Sequence, residues 1–307
     1  MRYNWKIDFI KNRKHSFMFS GIITVLGIVI LLIFGLNLGV DFRAGTTIDV
    51  NMGKSVEQSL VQEAVSESKL EAESITIGGT NADRATIRFK DSINKTQVEA
   101  LLTSIENRTG LKPDSEENTV SPDLAQELAQ KAIYAVLIAS VFIMVYVAIR
   151  FEWRFAIAGI AALLHDAFIV ISLFSLLRFE VNLPFIAAVL TIIGYSINDT
   201  IVIFDRIRSN MRYAKIRNED DLGQLVNESI WQTMTRSINT VMTVLICSLI
   251  LFFFGGIPIK LFSLAMIFGL VSGCYSSVFI ASPIWYLLKK ASINSNNATA
   301  VQKAVAK

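Results

Sequence analysis

The chain has 307 residues, 52% of them hydrophobic and only 18% charged, and its mean hydropathy of +0.49 is too apolar for a soluble domain of this length. A purely soluble protein is excluded. The net charge of +3 conceals an asymmetry, because residues 41–128 carry 16 Asp and Glu against 9 Lys and Arg, leaving 10 acidic and 20 basic residues elsewhere.

The apolar residues gather into runs of about 20, the length that crosses a bilayer core of roughly 30 Å as a helix. The first run spans 17–37. It follows Arg2, Lys6, Lys11, Arg13 and Lys14 and so looks superficially like a signal peptide. A secretory core is usually about 7–15 residues long with a small-residue cleavage site. This run instead continues through Phe34 and Leu36 into Asn37, Leu38 and Gly39, so a retained anchor is expected.

The acidic segment 38–130 reads as an outward-facing α/β domain. Thr46 to Asn51 is β-rich, Val56 to Leu70 has helical apolar spacing, and Ser74 to Ile77 and Ala85 to Phe89 flank a Gly78-Gly79-Thr80-Asn81 turn. Val98 to Ile105 is helical again. The order resembles half or all of a ferredoxin-like βαββαβ unit. Lys112 to Pro122, with Asp114, Glu116, Glu117 and two prolines, reads as a solvated linker.

Five further spans follow in the region 131–288, at about 131–149, 155–177, 184–204, 235–254 and 261–288. Basic residues crowd the amino end (1–16), the link Arg150 to Arg154, the long link with Arg206, Arg208, Arg212, Lys215 and Arg217, and the tail 289–307. The other links hold only Arg178 and Lys260. The positive-inside rule therefore places both termini in the cytoplasm, with Trp153 and Trp285 near cytoplasmic interfaces. The tail from Asn294 to Lys307 is small and polar and is expected to be disordered.

Charged side chains near a helix centre cost about 2.5–3.5 kcal/mol on insertion scales, so each needs a partner or a task. Asp166, preceded by His165, lies near the middle of the third span. Asp199 lies in the fourth with Ser196, Asn198 and Thr200 within about one turn, and Arg236 opens the fifth with Ser237, Asn239, Thr240 and Thr243. A buried Asp opposed by a movable Arg can load and release a proton as helices shift; the same cluster can equally be interhelical glue. For His165 and Asp166 a hydrogen-bonded structural pair is the plainer reading. In the sixth span Gly269, Gly273 and Ser277 recur every fourth residue beside Ser272 and Ser276, a face suited to close helix packing.

Enzyme signatures are missing. There is no zinc-spaced Cys/His cluster, no phosphate loop and no nucleophile elbow, since Gly194-Tyr195-Ser196-Ile197-Asn198 breaks that pattern at its last position. Asp166 and Asp199 as an intramembrane protease dyad lack the Gly-x-Gly-Asp context. Cys247 and Cys274 both lie in apolar runs, so no disulfide framework is available.

Several segments together resemble the SecF family of the bacterial Sec preprotein translocase. Gly39-Val40-Asp41-Phe42-Arg43-Ala44-Gly45 is similar to the family's GVDFRGG motif, with Ala44 departing from it, and its phenylalanine favours SecF over the sister family SecD. Leu163-Leu164-His165-Asp166, GYSINDTIVIFDRIRSN from Gly194 to Asn210, Thr235 to Thr240 and Gly273 to Ser277 match further motifs. The resemblance implies a polytopic α-helical membrane protein of the resistance-nodulation-division type, six helices forming one half, in the bacterial inner (plasma) membrane. SecD would supply the other half, with the SecYEG channel and YajC as associates and a translocating preprotein as cargo. It implies neither nucleic acid nor cofactor, with protons as the coupling ion, and no metal. The implied function is late-stage preprotein export driven by the proton motive force. Half of a related exporter for a small molecule or lipid is the alternative. Asp199 and Arg236 align with positions assigned to proton passage; Asp166, Asn198 and Ser196 complete the expected relay. Gly39, Asp41, Arg43 and Gly45 are expected to form a mechanical joint, in which Asp41 and Arg43 pair or cap neighbouring backbone.

Overall fold

The computed structural model describes residues 7–78, 82–214, 216 and 218–292. The expected turn residues Gly79, Thr80 and Asn81, the basic residues Arg2, Lys6, Lys215 and Arg217, and the tail from Asn294 lie outside the described residues.

Six helices are long and apolar enough to cross a membrane. The first, α1 (Arg13–Phe34), leads into a two-residue strand β1 (Asn37–Leu38), a single helical turn α2 (Val40–Arg43), and an α/β domain. That domain runs β2 (Gly45–Asn51), α3 (Gln58–Glu67), β3 (Ala72–Gly78), β4 (Arg84–Phe89), α4 (Lys95–Thr109) and β5 (Asp114–Val120). Its four strands lie in the order β3-β4-β2-β5, every neighbour antiparallel. Ile48, Val50, Ile87 and Phe89 point to one face, as a period of two requires, and pack with Val61, Val65, Leu101 and Ile105 of the two helices in a core of their own. Asn94 and Gln97 start α4 with a reciprocal capping box, and left-handed Gly110 ends it.

The stretch read as a solvated linker is strand β5. Its residues are almost all exposed, which is why its composition looks like a linker, but main-chain pairing with β2 from Gly45–Val120 to Asn51–Asp114 needs no apolar side chains.

The remaining spans are α5 (Pro122–Arg150), α6 (Trp153–Leu176), α7 (Leu183–Met211), α8 (Glu219–Phe254) and α9 (Ile257–Ser276). A π-helical turn, Ser277–Ala281, prolongs α9, and the span as a whole runs Pro258–Ser292. A second short strand, β6 (Glu180–Val181), joins α6 to α7 and pairs in parallel with β1. Side-chain oxygens open three of these helices: Ser121 accepts from Leu124 N–H, Asn182 from Phe185 N–H, and Asn218 from Asp221 N–H. Such caps carry α5 and α8 well beyond the apolar runs that announce them, so Arg236 lies in the middle of α8 and does not open it.

Within their most apolar windows, α6, α7 and the last span are 50%, 50% and 61% buried, whereas α1, α5 and α8 are 11%, 6% and 11% buried. The first three form the core. Trp285 belongs to it: the ring is fully buried and stacks on Phe155 with centroids 4.7 Å apart, so it is no interfacial anchor, unlike exposed Trp153. Residues before α1 are also held, because Asn227 Oδ1 on α8 accepts from the Phe9 and Ile10 N–H groups.

Gly45 is required by its surroundings. It has φ +121°, and a Cβ there would collide with the Phe89 carbonyl oxygen on β4. Gly45→Ala is expected to destabilise the α/β domain by about 1–3 kcal/mol, seen as faster limited proteolysis within residues 45–120, while Gly21→Ala, on an open helix face, leaves proteolysis unchanged. Equal proteolysis of Gly45→Ala and the parent would contradict this.

Candidate functional site

Asp166 projects from the middle of α6 and is 1% exposed. Its carboxylate accepts from Ser196 Oγ of α7 at 2.5 Å, and from Ser272 and Ser276 Oγ of α9 at 2.6 Å each. The residue before it, His165, places Nδ1 3.4 Å from Asp166 Oδ1 and its ring beside Tyr275, whose hydroxyl contacts Ser20 on α1 at 3.0 Å. One carboxylate thus gathers hydroxyls from both neighbouring core helices. Three hydroxyl donors from two helices hold this carboxyl group in place.

The serines reach Asp166 because α7 and α9 approach closely. Gly269 packs on Ile192, Gly273 on Ser196, and Ser277 bonds Thr200 at 2.9 Å. Both series advance by four residues, so two matching rows meet. Side chains at Gly269 or Gly273 would push the rows apart and take Ser272 and Ser276 out of reach. The π-helical turn starts at Ser277, beside these contacts.

Asp199 lies nearly one turn beyond Ser196 on α7 and is 8% exposed. Its situation differs from that of Asp166: Oδ2 is enclosed without a well-formed hydrogen bond, as is Ser237 Oγ of the facing helix α8, although the Ser237 and Ser277 hydroxyls both lie close to the carboxyl group. No hydrogen bond joins Asp199 to Asp166 among the described residues, which removes the basis for a shared-proton dyad. Asn198 lines the same small cavity as Asp199, with Ser196, Thr240, Gly273 and Cys274, and Arg236 lies near enough for its charge to act on the carboxyl group. Successive helical residues point about 100° apart, so with Ser237 and Asp199 turned inward, Arg236 and Asn198 lie on exposed faces. Among the described residues no ion pair within 4 Å joins Arg236 to Asp199, although the two charges interact. Exposed Arg236 and Asn239 on α8, with Tyr195 and Asn198 on α7, form a polar strip across an otherwise apolar surface.

At the end of the bundle that carries the α/β domain, Gly39 N–H donates to Val181 O at 2.8 Å, and Asp41 Oδ2 accepts from Leu183 N–H, the first residue of α7, at 2.9 Å. Asp41 therefore caps α7 and does not pair with Arg43, whose guanidinium lies 3.8 Å from Glu73. Two participants carried no distinguishing signal in the sequence. Arg88 of β4 is buried and donates to Leu38 O at 2.5 Å, and Glu180 of β6 lies against Gly39. The serines Ser272 and Ser276 were legible as small packing residues but not as ligands of Asp166.

Loss of the Asp166 acceptor strands three buried hydroxyls, so Asp166→Leu is expected to lower the unfolding temperature of the purified protein more than Ser196→Ala, Ser272→Ala or Ser276→Ala, each costing about 1–3 kcal/mol. Asp166→Asn, which keeps one acceptor oxygen, falls between. A parent-like unfolding temperature for Asp166→Leu would contradict the carboxylate's role as tie.

Comparison with known proteins agrees with this architecture. Residues 97–291 match the family described as protein export membrane protein SecD/SecF, C-terminal, and residues 29–56 match the SecD/SecF GG motif. The chain is 48% identical over 284 residues to the protein translocase subunit SecF of Alicyclobacillus acidocaldarius, covering 91% of this chain and 92% of that one. It is 44% identical over 293 residues to SecDF of Bacillus subtilis, covering 95% of this chain but 40% of that longer protein. The crystal structure of SecDF from Thermus thermophilus, a translocon-associated membrane protein, superposes with a TM-score of 0.83 at 31% identity, over 93% of this chain and 39% of that one. Protein export, and not the export of small molecules or lipids, is the activity these relatives share. The chain is a multi-pass membrane protein of the SecD/SecF protein-export family and stands on its SecF side.

Proposed function

We propose that this chain is the SecF half of a proton-driven, non-enzymatic accessory to the preprotein translocase. A SecD-type partner completes the bundle, the SecYEG channel and YajC are its associates, and the proton is the only coupling species, with no cofactor or metal. The basic links at one end of the spans support a plasma (inner) membrane orientation with both termini cytoplasmic and the acidic domain outside. That half-length matches to fused SecDF proteins cover nearly all of this chain supports the partner assignment.

The observation that carries the proton reading is the enclosed oxygen of Asp199, without a well-formed hydrogen bond, beside the Ser237 and Ser277 hydroxyls. A carboxyl group in that setting gains or loses a proton with a change in what must surround it, and a hydroxyl beside it can donate to the ionised form. Arg236 lies beside this point on the exposed polar strip, where a partner half would cover it and bring it into play. The result travels along α7. From Asp199 to Leu183 the helix is a rod of about 24 Å, and its far end is held by Asp41. A shift of α7 therefore acts on the turn from Gly39 to Gly45, the joint through which the outward domain would move against an emerging preprotein.

The test is preprotein translocation in sealed membrane vesicles, with and without an imposed proton gradient. Asp199→Asn keeps the size and hydrogen-bonding capacity of the side chain but cannot exchange a proton, so it is expected to abolish gradient-dependent stimulation at normal protein level and partner association. Arg236→Lys retains part of that stimulation and Arg236→Met little, because lysine keeps the charge without the planar fork. A parent-like response in Asp199→Asn would make Asp199 interhelical glue and end the proton assignment.

A further inference from the structure

The outward domain meets the membrane base through a small charged seam. Arg88, on β4, is the buried guanidinium of that seam. Its Nη2 donates to Leu38 O at 2.5 Å, its Nε lies 3.3 Å from Glu73 of β3, and its Nη1 lies 3.9 Å from Glu180 of β6. Arg43 adds a second positive charge, but it is half-exposed and turned to Glu73. Against these stand four carboxylates: Asp41 of α2, Asp49 of β2, Glu73 and Glu180. Arg178, in the same outer turn, is engaged elsewhere, with its Nη1 donating to Phe34 O at 2.5 Å.

The four carboxylates are not equivalent. Asp41 is committed to Leu183 N–H and Asp49 to the Thr86 hydroxyl, while Glu73 has the shorter contact with Arg88 and the additional one with Arg43. Glu180 makes no hydrogen bond of its own among the described residues and has only the longest Arg88 contact. It is also pressed against Gly39, where a Cβ would strike its carboxylate, so it cannot retreat in that direction. Its side chain is nevertheless 30% exposed, so protons from the outer side can reach it.

We propose that Glu180 is a proton-responsive seat for the outward domain: protonated, it lets the domain settle on the membrane base through Arg88, and ionised, it loosens that seam. Partial burial pushes the Glu180 carboxyl above the ordinary glutamate range; Asp41, Asp49 and Glu73 push the same way, and Arg88 opposes them. The seated arrangement is the one in which Glu180 holds its proton more tightly than in water. Seating is therefore favoured below the ordinary glutamate range and is lost as the outer pH rises through the raised value. The inference concerns the seam alone and does not depend on proton passage at Asp199, so either can fail without the other.

The test is a distance measurement in lipid nanodiscs on the chain with its SecD-type partner. Cys247 and Cys274 are replaced by Ala, and spin labels are placed at exposed Glu99 of the domain and exposed Leu177 at the base. Between about pH 5 and about pH 8 the distance distribution of the parent is expected to broaden toward longer separations. Glu180→Gln, which stays neutral, holds the narrow low-pH distribution at both values, and Glu73→Gln keeps the parent's response. A parent distribution that does not change with pH overturns the proposal. So does a Glu180→Gln protein that responds like the parent, or a response lost in Glu73→Gln, which would assign the proton to the neighbour. If Glu180→Gln does not assemble, the parent and Glu73→Gln measurements still decide.

Discussion

Three serine hydroxyls close on the Asp166 carboxylate in the middle of the bundle, and most of the arrangement follows from the need to satisfy that charge. An ionisable group at the centre of a membrane helix is costly unless paired. Asp166 is paired by Ser196 on α7 and by Ser272 and Ser276 on α9. For those short side chains to reach it, α7 and α9 must approach closely, which Gly269 and Gly273 permit and bulkier residues would prevent. The glycine row and the serine cage are thus one device: the row sets the separation, and the cage uses it.

That frame gives the second aspartate its distinct character. Asp199 is on the same helix as Ser196, one turn away, but faces α8, which is little buried in this chain, and finds no hydrogen-bond partner for Oδ2. A saturated carboxylate and an unsaturated one therefore lie side by side on a shared scaffold. The first is tied to two neighbouring helices by three hydroxyls; the second has no well-formed bond at Oδ2 to hold it. The outer end repeats the theme of few, well-placed ties. Asp41 holds the start of α7, Gly39 holds β6, and Arg88 ties the sheet of the α/β domain to Leu38, while Arg84 lies against Gly256.

Much of this was legible in the sequence for physical reasons. Six apolar runs must be spans because nothing else accommodates them, and the alternation in Thr46 to Asn51 and Ala85 to Phe89 marks strands with one buried face. Other features could not be read. Strand β5 has almost no buried side chains, so its pairing leaves no hydropathy trace, and the polar first turns of α8 hid the fact that Arg236 sits mid-helix. Asp166 and Asp199 looked alike as charges in apolar runs; what separates them is that three serine hydroxyls from α7 and α9 bond Asp166, whereas Ser237 and Ser277 lie near Asp199 and leave its Oδ2 without a well-formed bond. Trp285 looked like an interfacial ring because it lies near the end of the last apolar run, whereas its helix continues inward-facing and stacks it on Phe155.

The contrast between the two aspartates is most directly tested by infrared difference spectroscopy of the protein with its partner in lipid, recorded as the pH is changed. The carbonyl stretch of a protonated carboxyl group is expected to change with pH in the parent, to lose its membrane-embedded component in Asp199→Asn, and to keep it in Asp166→Asn. A component that survives in Asp199→Asn and disappears in Asp166→Asn would contradict the division of roles, making Asp166 the group that exchanges a proton and Asp199 the one that holds the helices.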